Sequence, residues 1–136
     1  MTSLNDLLSL SRRVAADAPR EPEITRAAIA WTFLNRAREA RAHMRRRAAP
    51  HPWFGDGTLS GTGLCYGAPL SAHRFTDPAL CRALATVCMV SCRDLADPAG
   101  GATHYHHHRE APAWSAQLVP VALLGSYLFY RPARPG

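Results

Sequence analysis

The densest group of chemically capable side chains in the sequence is His104-Tyr105-His106-His107-His108. Neutral imidazole is a common zinc ligand, and Cys88 or Cys92 could add a thiolate. Alternate positions on a strand face opposite ways, however, so at most two of these histidines could converge on one ion. No Cys-x-x-Cys pair and no His-Glu-x-x-His occurs. The reading therefore assigns no metal and no other cofactor. Carboxylates are the other resource, for acid–base work such as protonating the leaving oxygen of a glycosidic bond. Asp17 and Glu21 fall between the first two expected helices, where a cleft could open. Glu23 starts the second helix, Asp77 suits a helix cap, and Glu39 has arginine neighbours. None of these carboxylates, taken alone, singles out that chemistry.

The elements that must position these groups are legible from spacing. Leu4, Leu7, Leu8, Ser11 and Val14 form an amphipathic stripe over about 4–16, with Ser3 and Asp6 placed for a capping box and Pro19 beyond the end. Pro22 opens a second helix running to about Arg46. Ile24, Ala28 and Trp31 line one of its sides and Ala27, Ala30, Leu34 and Ala37 the next, the pattern of a buried central helix. Residues 50–72, rich in Gly and Pro, read as a loop in which Trp53 and Phe54 could stack on sugars or anchor the loop to the core. Asp77-Pro78 starts a third helix with Leu80, Leu84, Val87, Cys88 and Leu95 facing inward, stopped by Asp97-Pro98 and Gly100-Gly101. Strand-like segments follow at 103–106, 118–124 and 126–130. The expected class is α+β, helices first and a small antiparallel sheet later, as one domain over 1–131 with a short Pro-rich tail at 132–136.

Composition narrows the partners. The formal charge is +6 and all 16 basic residues are Arg, with a run at Arg36, Arg38, Arg41, Arg45, Arg46 and Arg47. Such a run is either a solvated helix end or a face for an anionic polymer. No ribonucleoprotein motif or zinc module accompanies it, so no specific nucleic-acid partner is expected. The longest apolar stretch, around 118–124, is too short to span a bilayer. The N-terminus has neither a basic leader nor an apolar stretch, so no signal peptide is expected. Cys65, Cys81, Cys88 and Cys92 are expected to be reduced and buried, because spacing along one helix suits disulfides poorly.

Four segments in order resemble the SleB-type cell wall hydrolase family. They are Ala27-Ala-Ile-Ala-Trp-Thr-Phe-Leu-Asn35-Arg36, Asp97-Pro-Ala-Gly-Gly-Ala-Thr-His-Tyr-His106, Pro112-Ala-Trp114, and Leu124-Gly125-Ser-Tyr-Leu-Phe129-Tyr130. The resemblance implies a lysozyme-like domain that acts as a peptidoglycan lytic transglycosylase. One carboxylic acid would serve as acid and then base while the sugar closes on itself. It implies peptidoglycan as partner, with other virion or tail proteins if the chain travels on a phage-like particle. Release on lysis or through a holin-type pore would be the other routes to the wall.

The family's catalytic Glu lies after the first helix in Glu-Ala-x-Gly-Glu. Counting back from Asn35 places it on Asp17, in Asp17-Ala-Pro-Arg-Glu21, with Glu21 as the second acid. A carboxylate at Glu21, and desolvation by the Trp31 side of the central helix, would keep Asp17 protonated for that work. Asn35, Trp53, His104, Tyr105, Trp114 and Tyr130 are the implied substrate-binding residues. Asp in place of Glu draws the carboxyl back by roughly one bond, about 1.5 Å, a displacement able to cost on the order of a hundredfold in rate. The family's loop also closes on Phe-Ser, where this sequence offers only Leu70-Ser71 and Phe75-Thr76. A degenerate domain, kept for wall binding or as a structural part of a particle, is the alternative.

Overall fold

The computed structural model describes residues 2–67 and 74–133. Leu70-Ser71 and the last residues of the tail lie outside them. The first helix, α1 (Leu4–Asp17), opens with the reciprocal capping box read from the sequence. The Ser3 hydroxyl accepts from the Asp6 N–H at 3.1 Å, and the Asp6 carboxylate accepts from the Ser3 N–H at 2.9 Å. Leu8, Leu10 and Val14 are buried, while Leu4, in the first turn, stays 59% exposed. The buried stripe thus takes Leu10 in place of Leu4.

Helix α2 (Glu23–Arg47) is the axis of the domain. Ala27, Ala28, Ile29, Ala30, Phe33, Ala37 and Ala40 are buried, so the helix is enclosed on nearly every side along its first half. The small alanines allow close packing. Ile24, in the opening turn, is exposed rather than part of that surface. The Trp31 indole is satisfied by donating to the Leu95 carbonyl at 3.0 Å. Ala48, in the left-handed conformation, ends the helix.

The following loop holds an isolated bridge between His51 and Gly55 and one 3-10 turn, Leu59–Thr62. Helix α3 (Pro78–Ser91) begins as expected, with Asp77 accepting from the Ala79 N–H at 2.9 Å. Its inward stripe is Leu80, Ala83, Val87 and Val90. Leu84 and Cys88 are only half-buried, and Leu95 lies beyond the helix end.

This stripe corrects the cysteine expectation. Cys81 lies off it, Cys92 follows the helix, and Cys65 is in the loop; all three are exposed, Cys88 is half-buried, and all are free.

The sheet is antiparallel in the order β1-β3-β2, built from β1 (His104–His107), β2 (Val119–Leu124) and β3 (Tyr127–Arg131). Pro120 sits on the edge strand β2, beside a register shift between Pro120 and Ala122, where a missing N–H is tolerated. β2 and β3 are joined by the two residues Gly125-Ser126, and Gly125 at φ 57° with Ser126 at negative φ fits a type II′ hairpin turn. The three helices followed by a small C-terminal sheet are the α+β class expected. Among the described residues no helix is long and apolar enough to cross a membrane.

The sheet is tied to α2 by one buried amide. Asn35 Nδ2 donates to the Asp97 carboxylate and to the Ala102 carbonyl, each at 2.9 Å. Asp97 in turn accepts from the N–H groups of Ala99 (2.9 Å) and Gly101 (2.8 Å), so the Asp97–Ala102 turn is stapled shut and delivers the chain into β1.

Titration of the folded protein with a thiol reagent should label the three exposed cysteines promptly and Cys88 more slowly. Labelling that waits for unfolding would contradict the placement described.

Candidate active site

Asp17 is the last residue of α1 and faces the sheet. Its Oδ2 accepts from Arg13 Nε at 2.7 Å, one helical turn earlier, and from the Tyr105 hydroxyl of β1 at 2.5 Å. Arg13 Nε also reaches the Tyr105 hydroxyl at 3.2 Å, closing a three-membered polar cluster. The Asp17 side chain is 26% exposed, and among the described residues its Oδ1 takes no hydrogen bond, so one carboxylate oxygen is open to a ligand. Burial and then the Asp17 carboxylate push the Tyr105 phenol well above its usual value, so it remains a donor. Burial opposes the charge on Arg13, but Tyr105 and Asp17 outweigh it and strengthen the guanidinium's hold on its proton. Tyr127 donates its hydroxyl to the Asp17 backbone carbonyl and fixes the end of α1 against β3.

Glu21 does not pair with Asp17. Both its oxygens lie within reach of the Ser126 N–H, at 3.2 and 3.4 Å, so it is spent on the hairpin turn. A Cβ on Gly125 would stand 2.2 Å from Glu21 Oε2 and 2.8 Å from Thr25 Oγ1, which adds close approach to the positive φ as reasons for glycine. Nor does Trp31 desolvate Asp17; it lines a cavity with Asp6 near the other end of α1. The apolar flank of the site is instead Phe33, edge-on to Tyr105 at 6.2 Å between centroids. The guanidinium of Arg13 lies 5.6 Å from the centre of the same ring.

The other sequence-selected residues divide between two faces of the sheet. Tyr105 shares the Asp17 face with its cross-strand partner Phe129. His104, its partner Tyr130, and His106 point the other way, where Trp114 packs on them at 5.0–5.6 Å. His106 Nε2 and the Tyr130 hydroxyl are bonded at 2.9 Å and both residues are buried. His104 continues through Phe54 (5.7 Å) to His51 (4.7 Å, stacked) and on to Trp53, which is 71% exposed. These rings form an aromatic ridge separated from Asp17 by the sheet. Asn35 is buried and spends both Nδ2 donors on the brace.

Only Tyr105, then, is brought to Asp17, while His104, Trp114 and Tyr130 meet one another on the other face. Arg13 was missed, although its i, i+4 spacing to Asp17 was a readable signal. Arg36, the first of the basic run read as a solvated helix end or a face for an anionic polymer, is drawn inward. It donates to the carbonyls of Thr103 (2.6 Å) and Thr62 (3.0 Å) and lies over Phe33 at 4.8 Å. Among the described residues no group of three or more His, Cys, Asp or Glu is placed to hold a metal ion. The alternation of β1 sends the histidines to opposite faces, as the strand periodicity required.

Helices before a small antiparallel sheet make a lysozyme-like α+β fold, and known structures share that fold. The catalytic domain of the germination-specific lytic transglycosylase SleB from Bacillus anthracis superposes with a TM-score of 0.62 at 20% identity, covering 95% of this chain and 96% of that one. The catalytic domain of the Bacillus cereus SleB protein gives 0.57 at 20% identity, covering 96% and 93%. No curated protein matches the sequence. The chain belongs to the family described as "Domain of unknown function (DUF7742)", whose model matches residues 9–91.

Two outcomes follow from this geometry. Gly125→Ala should lower stability by about 1–3 kcal/mol in urea unfolding, and adding Glu21→Ala should recover the part due to the clash but not the part due to φ. Burial, then Arg36, depress the His104 imidazole to about 4 from an ordinary 6.5. Between those values the unfolded chain binds a proton that the folded one refuses, so stability falls as pH drops from 6.5 toward 4. His104→Phe should therefore narrow the difference in Tm between neutral and acidic buffer; an unchanged difference would remove His104 as a cause.

Proposed function

We propose that this domain cleaves the glycan strands of peptidoglycan as a lytic transglycosylase-type cell wall hydrolase, with Asp17 as its acid and base. The observation that carries the reading is the placement of a part-exposed carboxyl, with one oxygen free, at the end of α1 in a SleB-like fold. In the reaction, protonated Asp17 gives its proton to the glycosidic oxygen as the bond to the anomeric carbon breaks. The carboxylate then takes a proton from a hydroxyl of the same sugar, whose oxygen closes onto that carbon and leaves an anhydro end. Tyr105 and Arg13 orient the carboxyl through Oδ2, and Arg13 balances its charge between the two transfers. Glu21 supports the site by holding the turn. The route to the wall that goes with this reading is release on lysis or carriage on a phage-like particle.

A second reading has its own support. Asp17 is held by Arg13 at 2.7 Å, and Asp reaches less far than Glu toward a glycan. A domain so arranged binds glycan without cutting it.

Zymograms on purified peptidoglycan separate the two. Cleavage predicts clearing by wild type that a chelator leaves intact, a loss of about a hundredfold or more in Asp17→Asn, a gain in Asp17→Glu, and most activity kept in Glu21→Gln. Wild type and Asp17→Asn equally inactive, yet both sedimenting with peptidoglycan, would establish the binding reading. Activity lost in Glu21→Gln but kept in Asp17→Asn would move the acid to Glu21.

A further inference from the structure

Near the opposite end of α1 lies a cavity of about 540 Å3, bounded by α1, the middle of α2, the end of α3 and the turn at Gly57-Thr58. Three arginines from two elements line it: Arg38 and Arg41 of α2, and Arg93 just after α3. Arg13–Asp17 is the ion pair formed among the described residues, so none of these three is paired with a carboxylate. Arg41 is held in place: its Nη1 donates to the Gly57 carbonyl at 2.9 Å, and its stem fills the space where a Cβ on Gly57 would stand, 2.3 Å from Cγ. Arg38 lies 5.9 Å over the buried Trp31 ring. Arg93, at φ 62°, is the left-handed residue that stops α3, its N–H donating to the Val90 carbonyl and the Asp94 N–H to the Met89 carbonyl, so its backbone is fixed beside the cavity. The Ser91 hydroxyl, on the same wall, is buried with no hydrogen-bond partner. The one lining carboxylate, Asp6, is already engaged by the Ser3 N–H and the Tyr66 hydroxyl.

We propose that this cavity binds a phosphorylated small molecule of about sugar-phosphate size, at a site separate from Asp17. Three arginines exceed what the two oxygens of a carboxylate would need and match the several oxygens of a phosphate monoester. The volume exceeds a bare phosphate and falls in the range of small-molecule sites. Asp6 and Asp17 stand eleven residues apart on α1, roughly 16 Å at the helical rise, so occupancy here does not obstruct the carboxyl at the other end.

The test is calorimetric titration with glucose 1-phosphate, with glucose and with potassium chloride at matched ionic strength as controls, together with amide shifts of Gly57 and Arg93 by NMR. Saturable binding with Kd on the order of 1 mM or tighter is expected for the phosphate alone. Arg38→Gln and Arg93→Gly should each weaken it by about tenfold or more. The glycine keeps the left-handed backbone and so preserves the fold. Asp17→Asn should bind as wild type does, which keeps this result independent of wall cleavage. Absence of saturation, an equal response to chloride or glucose, or unchanged affinity in both arginine variants would overturn the proposal. Inorganic phosphate binding as tightly as glucose 1-phosphate would overturn the sugar-sized ligand.

Discussion

The Asn35 amide is the joint on which the site depends. It is buried on the central helix and spends both its donors across the domain, on the Asp97 carboxylate and the Ala102 carbonyl. Those two bonds fix where the chain leaves the Asp97 turn and therefore where β1 begins. Tyr105, the second residue of β1, then meets Asp17, while Phe33, two residues before Asn35, closes the apolar flank. A buried amide left without partners costs about 1–3 kcal/mol, more where a charged acceptor is also stranded. Few other residues could hold a carboxylate and a carbonyl at once from inside a helix.

That joint also explains which parts of the fold were readable. Asn35 and the Asp97-Pro-Ala-Gly-Gly-Ala stretch stand 62 residues apart, and the hydrogen bond between them shows why both belong to one pattern. Helix starts were legible because caps are local: Ser3 with Asp6, and Asp77 with the Ala79 N–H, make their bonds within three residues. Strand periodicity correctly divided the histidines between faces. Burial at element ends was not legible, because Ile24, Leu4 and the cysteines depend on which neighbours extend that far. Of the candidate residues read from the sequence, only Tyr105 lies in hydrogen-bond contact with Asp17. Order along the chain brought His104, Trp114 and Tyr130 into the same list, and only the sheet's two faces separate them from the carboxyl.

The division of labour is consequently different from a single cleft. The Asp17 face offers a charged, half-open cluster of Arg13, Asp17 and Tyr105. The far face offers a ridge of rings, with His106 and Tyr130 sealed inside and Trp53 well exposed. Arg36 links the two, bridging from Phe33 under Asp17 to Phe54 at the ridge and joining the loop, through the Thr62 carbonyl, to the start of β1, through the Thr103 carbonyl. Two arginines thus fold over one phenylalanine, Arg13 serving the carboxyl and Arg36 the scaffold.

Mass spectrometry of the soluble products released from purified peptidoglycan tests the central claim most directly, because product chemistry reports the mechanism whatever the rate. Intramolecular closure at an acid–base carboxyl predicts glycan fragments ending in anhydro sugars, one water lighter than the products of hydrolysis. Fragments ending in ordinary reducing sugars, or no fragments from protein that is folded and bound to the wall, would contradict it.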